Sequence, residues 1–111
     1  HQRVKLFKTR SDDKNTLEYF NQHLNGKIDF LNIDGDHTYE GCLFDLNNYI
    51  SLLTDTGIAW IDDYASIPDV KKAASDFLDH NKNFEIWDWN GKGSLLDREG
   101  IDGIFILRKM I

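Results

Sequence analysis

The sequence is poor in the residues that mark several protein classes. Its only cysteine is Cys42, so no internal disulfide can form, and a reducing, cytoplasmic setting is expected. A lone thiol of this kind is more often a small buried filler than a nucleophile. The single proline, Pro68, is expected in a loop. Basic residues are the minority. The formal charge of −6 argues against a nucleic-acid partner, because a phosphate backbone needs a basic stripe. The basic residues of segment 3–10 alternate with apolar ones and read as the solvated face of a strand. No apolar run approaches the roughly 18 residues of a membrane span, and there is no signal-peptide pattern. A membrane partner is therefore not expected. Internal repeats and low-complexity stretches are also absent. The chain opens on His1 and runs straight into a strand-like segment, as a processed chain or a piece of a longer protein would.

What is present is globular. The 111 residues suffice for one small domain spanning 1–111, and 41% of them are apolar. The 13% aromatic content argues against disorder, since each ring adds area to bury. Strand and helix patterns alternate along the chain. Residues 4–9 read as a half-exposed strand. Ser11, Asp12 and Asp13 offer helix caps, Leu17, Phe20 and Leu24 follow at helical spacing, and Asn25-Gly26 stops the helix. Ile28–Ile33 reads as a central strand broken by Gly35. Residues 40–53 read as an amphipathic helix, 54–57 as a turn and 58–61 as a second central strand ended by Asp62-Asp63. Residues 66–69 open a further helix, with Val70, Ala73, Ala74, Phe77 and Leu78 on its inner face. Residues 84–89 and 101–111 read as an antiparallel pair of strands around an Asn90-Gly91-Lys92-Gly93 turn. Trp87 and Trp89 share a face there and are read as core or interface. This alternation predicts an α/β fold with a mostly parallel sheet, right-handed crossovers and an antiparallel last strand.

In such sheets ligands bind beyond the carboxyl ends of the strands. Asp34 and Asp36 follow one central strand, and Asp62 and Asp63 follow the next. If the strands are neighbours, these carboxylates crowd one crevice and repel unless something positive lies between them. A divalent cation is a natural candidate. Three carboxylates plus water suit Mg²⁺, Mn²⁺ or Ca²⁺ better than Zn²⁺. His37 stands three residues beyond Asp34, where a neutral imidazole could take the proton of a metal-bound hydroxyl. The plainer reading is that these aspartates and glycines make turns and cap helices, and that His37 is a surface histidine.

The stretch from Ile28 through Ile33-Asp34-Gly35-Asp36-His37-Thr38-Tyr39-Glu40-Gly41 resembles the fourth-strand motif of class I S-adenosylmethionine-dependent methyltransferases. The matching branch carries Asp-Gly-Asp-His, an aromatic and Glu-Gly, and is akin to the metal-dependent O-methyltransferases. Asp45, Leu53, Gly57, Ile61-Asp62-Asp63-Tyr64, Val70-Lys71-Lys72-Ala73 and Phe77 fall in that branch's places. The resemblance implies a Rossmann-like three-layer fold and O-methyl transfer from S-adenosylmethionine to a small-molecule or sugar hydroxyl. It implies Asp34, Asp62 and Asp63 as ligands of Mg²⁺ or Mn²⁺, and His37 as base where relatives carry lysine. Ser11 and Asp12 fall where the family touches the adenine, and Asp36 lies near the cofactor.

The resemblance also exposes a gap. There is no Gly-x-Gly in the first third of the chain, and one strand alone precedes Ile28. The family's sheet order is 3-2-1-4-5-7-6, so the chain resembles its C-terminal half: a truncated domain with strands three, four, five, seven and six. Strand four would then have a bare edge and one sheet face would lie open. That predicts a homo-oligomer or association with the missing N-terminal half. A fragment of this kind is either a methyltransferase, weak or inactive alone, or a non-catalytic binding or oligomerisation module derived from the fold. A metal-dependent phosphotransferase using the acidic crevice is a third reading.

Overall fold

The computed structural model describes residues 3–87 and 102–109. Three helices and four strands follow one another: α1 Lys14–His23, β1 Ile28–Ile33, α2 Tyr39–Tyr49, β2 Leu53–Asp62, α3 Pro68–His80, β3 Phe84–Ile86 and β4 Gly103–Arg108. The sheet has the order β1-β2-β4-β3. β1 and β2 are parallel, whereas β4 is antiparallel to both of its neighbours. Three strands therefore point one way and β4 the other, but the parallel ladder is confined to one pair.

Side-chain alternation sorts the sheet into two faces. Leu31 and Ile33 pair with Ala59 and Ile61, which pair in turn with Ile106 and Ile104. These residues meet Cys42, Leu46 and Ile50 of the α2 region and Val70, Ala73 and Phe77 of α3 in one apolar core. Leu46 and Ile50 are fully buried, and burial of each such side chain contributes about 1.5–3 kcal/mol. Tyr39 donates from its hydroxyl to Asp76 Oδ2 at 2.6 Å, which ties α2 to α3. The opposite face carries Phe30, Ile58, Trp60, Phe105 and Leu107, all half-buried or exposed. None of the described helices is long and apolar enough to cross a membrane.

The sequence reading needs four corrections. Residues 4–9 form no strand. No described strand pairs with this segment, and an extended segment without a ladder partner has nowhere to place its backbone hydrogen bonds. The second correction concerns α2, which stops at Tyr49. A 3₁₀ turn, Ile50–Leu52, follows, and β2 already starts at Leu53. The expected turn at 54–57 is extruded from β2: Ile28 pairs with Leu53 but Phe30 with Ile58. Gly57 permits this, because a Cβ there would lie 2.8 Å from the Ile28 carbonyl oxygen. Third, Pro68 is the first residue of α3 and not a loop residue. Its missing N–H costs nothing there, since first-turn donors have no helical partner. Last, β3 ends at Ile86 and β4 starts at Gly103. Trp89 and the Asn90-to-Gly93 turn lie outside the described residues. Trp87 donates its backbone N–H to Phe105 and packs edge-on against that ring, in line with Trp60 on the uncovered face.

Candidate functional site

The site forms where β1 and β2 end side by side. Beyond β1, Asp36 makes a tight turn: its Oδ1 accepts from the Thr38 backbone N–H at 2.8 Å. That bond, with one from the Thr38 hydroxyl, holds the Asp36 carboxyl below the usual range. Thr38 then caps α2 by accepting from Gly41 N at 3.1 Å. The Asp36 carboxylate lies so close to Gly41 that a Cβ would come within 2.3 Å of it. The Asp-Gly-Asp-His-Thr-aromatic-Glu-Gly run is thus partly a folding device, and it leaves His37 turned towards β2.

Beyond β2, Asp63 adopts φ 61°, a left-handed conformation rare for residues other than glycine. Its N–H donates to the Asp102 carbonyl at 2.8 Å, and its carbonyl accepts from Ile67 at 3.0 Å. Asp102 also accepts from the N–H groups of Ala65 and Ser66, at 2.7 and 2.9 Å, and from the Ser66 hydroxyl. These bonds hold the Asp102 carboxyl below its ordinary range.

The result is a three-residue group. His37 Nε2 lies 2.9 Å from Asp63 Oδ2 and 3.6 Å from Asp34 Oδ1. One donor atom from each residue lies within 4.8 Å of the others. Partial burial pushes the Asp63 carboxyl above its usual range; the charges of Asp62 and Asp34 add to this and His37 opposes it. Asp62 does not join. It continues the alternation of β2 and so shares a face with Trp60, whose indole N–H donates to Asp62 Oδ1 at 3.1 Å. Of the residues expected from the sequence, Asp34, Asp62 and Asp63 with His37 beside them, the structure brings Asp34, His37 and Asp63 together and places Asp62 beside Trp60.

A groove of about 610 Å³ runs between segment 7–11, α1 and β1. Phe7, Phe20 and Leu31 supply apolar walls, and Arg10, Asp34 and Asp45 supply polar ones. Ser11 and Asp12 stand beside it, each already engaged. Ser11 Oγ donates to Asp45 Oδ1 at 2.6 Å, and the Ser11 carbonyl accepts from the Tyr49 hydroxyl at 2.6 Å. Asp12 pairs with Arg10 at 3.0 Å. Asp12 and Asp36 also border a hollow of about 30 Å³, a volume that suits a water or two. Burial pushes the Asp45 carboxyl up and the Ser11 bond opposes this. Cys42 is buried, and its thiol is pushed up to about 11 by burial, so it is inert filler.

The sequence reading gave Asp45 no task and missed Asp102. The one available signal for Asp102 was an aspartate ahead of a final apolar strand, a common place for a turn-capping carboxylate.

A family model described as a methyltransferase domain matches residues 1–64. The matched stretch takes in the groove-lining segments, both strand ends and the Asp34–His37–Asp63 group. A search of curated proteins gives no match. Because the family model covers more than half of the 111 residues, this chain belongs to the methyltransferase-domain family.

Proposed function

We propose that this chain supplies the catalytic end of an S-adenosylmethionine-dependent methyltransferase acting on a hydroxyl of a small molecule or sugar, and that it works as part of a larger assembly. Asp34 carries the reading: it lines the groove along β1 and also belongs to the Asp34–His37–Asp63 group. A groove of nucleoside size and a charged, proton-handling group thus share one residue. Methyl transfer to a hydroxyl needs that adjacency. The two reactants must be aligned, and the hydroxyl must lose its proton as it is alkylated.

S-adenosylmethionine would supply a methyl group on a positively charged sulfur. The described residues fit one side of it. The groove volume lies within the usual range for small-molecule sites, and its acidic residues suit a cationic ligand. No described loop offers the run of backbone donors expected of the family's glycine-rich motif, and Ser11, Asp12 and Asp36 are held by neighbours. The chain's own residues do two things in this reading. Asp45, Ser11 and Tyr49 fix the segment that forms the far wall of the groove, and Asp34, His37 and Asp63 receive the acceptor hydroxyl.

Titration calorimetry with S-adenosylhomocysteine tests the reading. Micromolar binding is expected, weakened about tenfold or more, roughly 1.4 kcal/mol, by a groove-filling Leu31→Trp change. Absence of saturable binding up to millimolar ligand would favour a non-catalytic binding or oligomerisation module. The uncovered sheet face, with Phe30 56% exposed, speaks for that second reading.

A further inference from the structure

We infer that Asp45 is a specificity-determining residue of the groove: its Oδ2, an unsatisfied acceptor beside Gly35, takes an N–H from an amino group of the bound molecule. The inference rests on the reading of this groove as the site of an S-adenosyl ligand, and adds the contact that discriminates among such ligands. Its test compares ligands with and without the amine, so the two can fail separately.

The two oxygens of this carboxylate are unequal. Asp45 lies on α2 and is only 5% exposed. Its Oδ1 accepts from the Ser11 hydroxyl at 2.6 Å, whereas among the described residues no donor meets Oδ2. Nor is Oδ2 sealed off, since the one fully enclosed and unpaired side-chain atom among the described residues is Arg108 Nε. Burying a carboxylate oxygen without a donor is costly, and a ligand that brings the donor removes that cost.

Gly35 gives the direction. A Cβ on Gly35 would stand 3.4 Å from Asp45 Oδ2, and both residues line the groove. The small hollow beside it takes in Asp45 and Ser11 but not Gly35. Gly26 is the one described glycine with positive φ, so the backbone at Gly35 does not call for glycine. Crowding does not call for it either, because contact at 3.4 Å is ordinary. What a side chain at this position would do is cover Oδ2 on the groove side.

Charge then selects the donor. Burial pushes the Asp45 carboxyl above its usual range; the Ser11 bond opposes this, and the charges of Asp36 and Asp12 add to it. Arg10, the one basic residue among the described residues lining the groove, is already paired with Asp12. An amino group, cationic or strongly polarised, relieves this crowding better than a hydroxyl does. S-adenosyl ligands offer that chemistry twice, in the exocyclic amine of the base and in the ammonium of the amino acid. A site built around such a bond rejects the analogue that lacks it, because the buried acceptor is then left unpaired.

Calorimetry with the full chain compares three ligands. They are S-adenosylhomocysteine, S-inosylhomocysteine, which lacks the exocyclic amine, and methylthioadenosine, which lacks the amino acid. One of the two analogues is expected to bind at least about tenfold more weakly than S-adenosylhomocysteine, and it identifies the amine that Asp45 holds. In Asp45→Leu, of similar size but without an acceptor, that gap should shrink below about threefold. Ser11→Ala leaves Oδ2 in place and should keep the gap. Gly35→Ala should cover Oδ2 and weaken S-adenosylhomocysteine, and circular dichroism checks that each variant folds. In the unaltered chain the Asp45 carboxyl carbon resonance should shift with S-adenosylhomocysteine and not with the weaker analogue. Equal affinities for all three ligands, a gap that persists in Asp45→Leu, a Gly35→Ala variant that binds normally, or an unmoved Asp45 resonance would each overturn the inference and leave the groove reading standing. No saturable binding of any of the three would overturn both.

Discussion

Gly41 and Asp36 compete for space that one more carbon would take. Alanine is worth about 0.8–1.0 kcal/mol more than glycine inside a helix, so Gly41→Ala would ordinarily stabilise α2. Here the added Cβ would meet the Asp36 carboxyl within 2.3 Å, and the Thr38 backbone N–H holds that carboxyl in place. Gly41→Ala is expected to destabilise the chain by about 1–3 kcal/mol in urea unfolding. Asp36→Ala, made alongside it, should cancel part of the loss because the clash disappears. Asp63 predicts the opposite sign. Its folded-state pKa is raised, so ionising it costs more in the folded chain than in the unfolded one. The penalty is absent when the group is protonated in both states. It grows as pH rises from the ordinary carboxylate value of 3.8 through the raised one. Asn also tolerates the left-handed backbone at this position. Asp63→Asn should therefore raise the melting temperature at pH 7, with no gain at pH 3. A variant less stable at pH 7 would show that the carboxylate is held for stability. Asp34 and His37 were legible from the sequence because they follow an obvious strand. Asp62 and Asp63 looked equivalent because a linear pattern does not reveal where alternation ends. The left-handed turn at Asp63 redirects one carboxylate and leaves the other beside Trp60.

Among the elements, those that make their own local signal were legible. α1 is capped by Asp13, whose side chain accepts from Thr16 N, and the apolar spacing of α3 matches its buried set of Val70, Ala73, Ala74 and Phe77. Elements that depend on distant partners were not. Residues 4–9 carry a strand pattern but no ladder, and the extrusion at 54–57 depends on the Ile28 carbonyl across the sheet. The N-terminal segment is instead tethered by two side chains, Asp45 to Ser11 and Tyr49 to the Ser11 carbonyl. Removing the Tyr49 hydroxyl leaves that carbonyl without this donor, so Tyr49→Phe is expected to cost about 1 kcal/mol of stability. Faster amide exchange over 9–13, with β2 unchanged, would accompany it. The link between β2 and α3 rests on Asp102. Its folded pKa is lowered, so its contribution is present above the ordinary value of 3.8 and is lost as pH falls through the lowered one. Asp102→Asn should lower the melting temperature at pH 7 but make little difference at pH 2. An equal drop at both pH values would mean that the carboxylate charge is not what anchors the Ala65–Ser66 turn.

At the scale of the whole molecule, the sheet is finished on one face and open on the other. Within the described residues, α2 and α3 cover Ile33, Ala59, Ile61, Ile104 and Ile106, whereas Trp60, Phe105 and Trp87 line up on the far face. β1 pairs with β2 on one side, and no described strand pairs with its other edge. The same strand therefore presents unpaired backbone groups and the exposed ring of Phe30. Either feature alone is tolerable, but together they favour association, because pairing an edge and burying an apolar face gain from the same contact. A second copy meeting β1 to β1 about a two-fold axis would satisfy both. Sedimentation equilibrium is expected to give a dimer at tens of micromolar, and Phe30→Lys to shift it towards monomer by placing a charge on that face. Because Leu31, Asn32, Ile33 and Asp34 line the groove along that same edge, dimerisation should compete with the ligand, so ligand affinity should fall with protein concentration in the unaltered chain and not in Phe30→Lys. A monodisperse monomer at this concentration, with ligand affinity independent of concentration, would leave the edge without a use for self-association and point to a different chain as its cover.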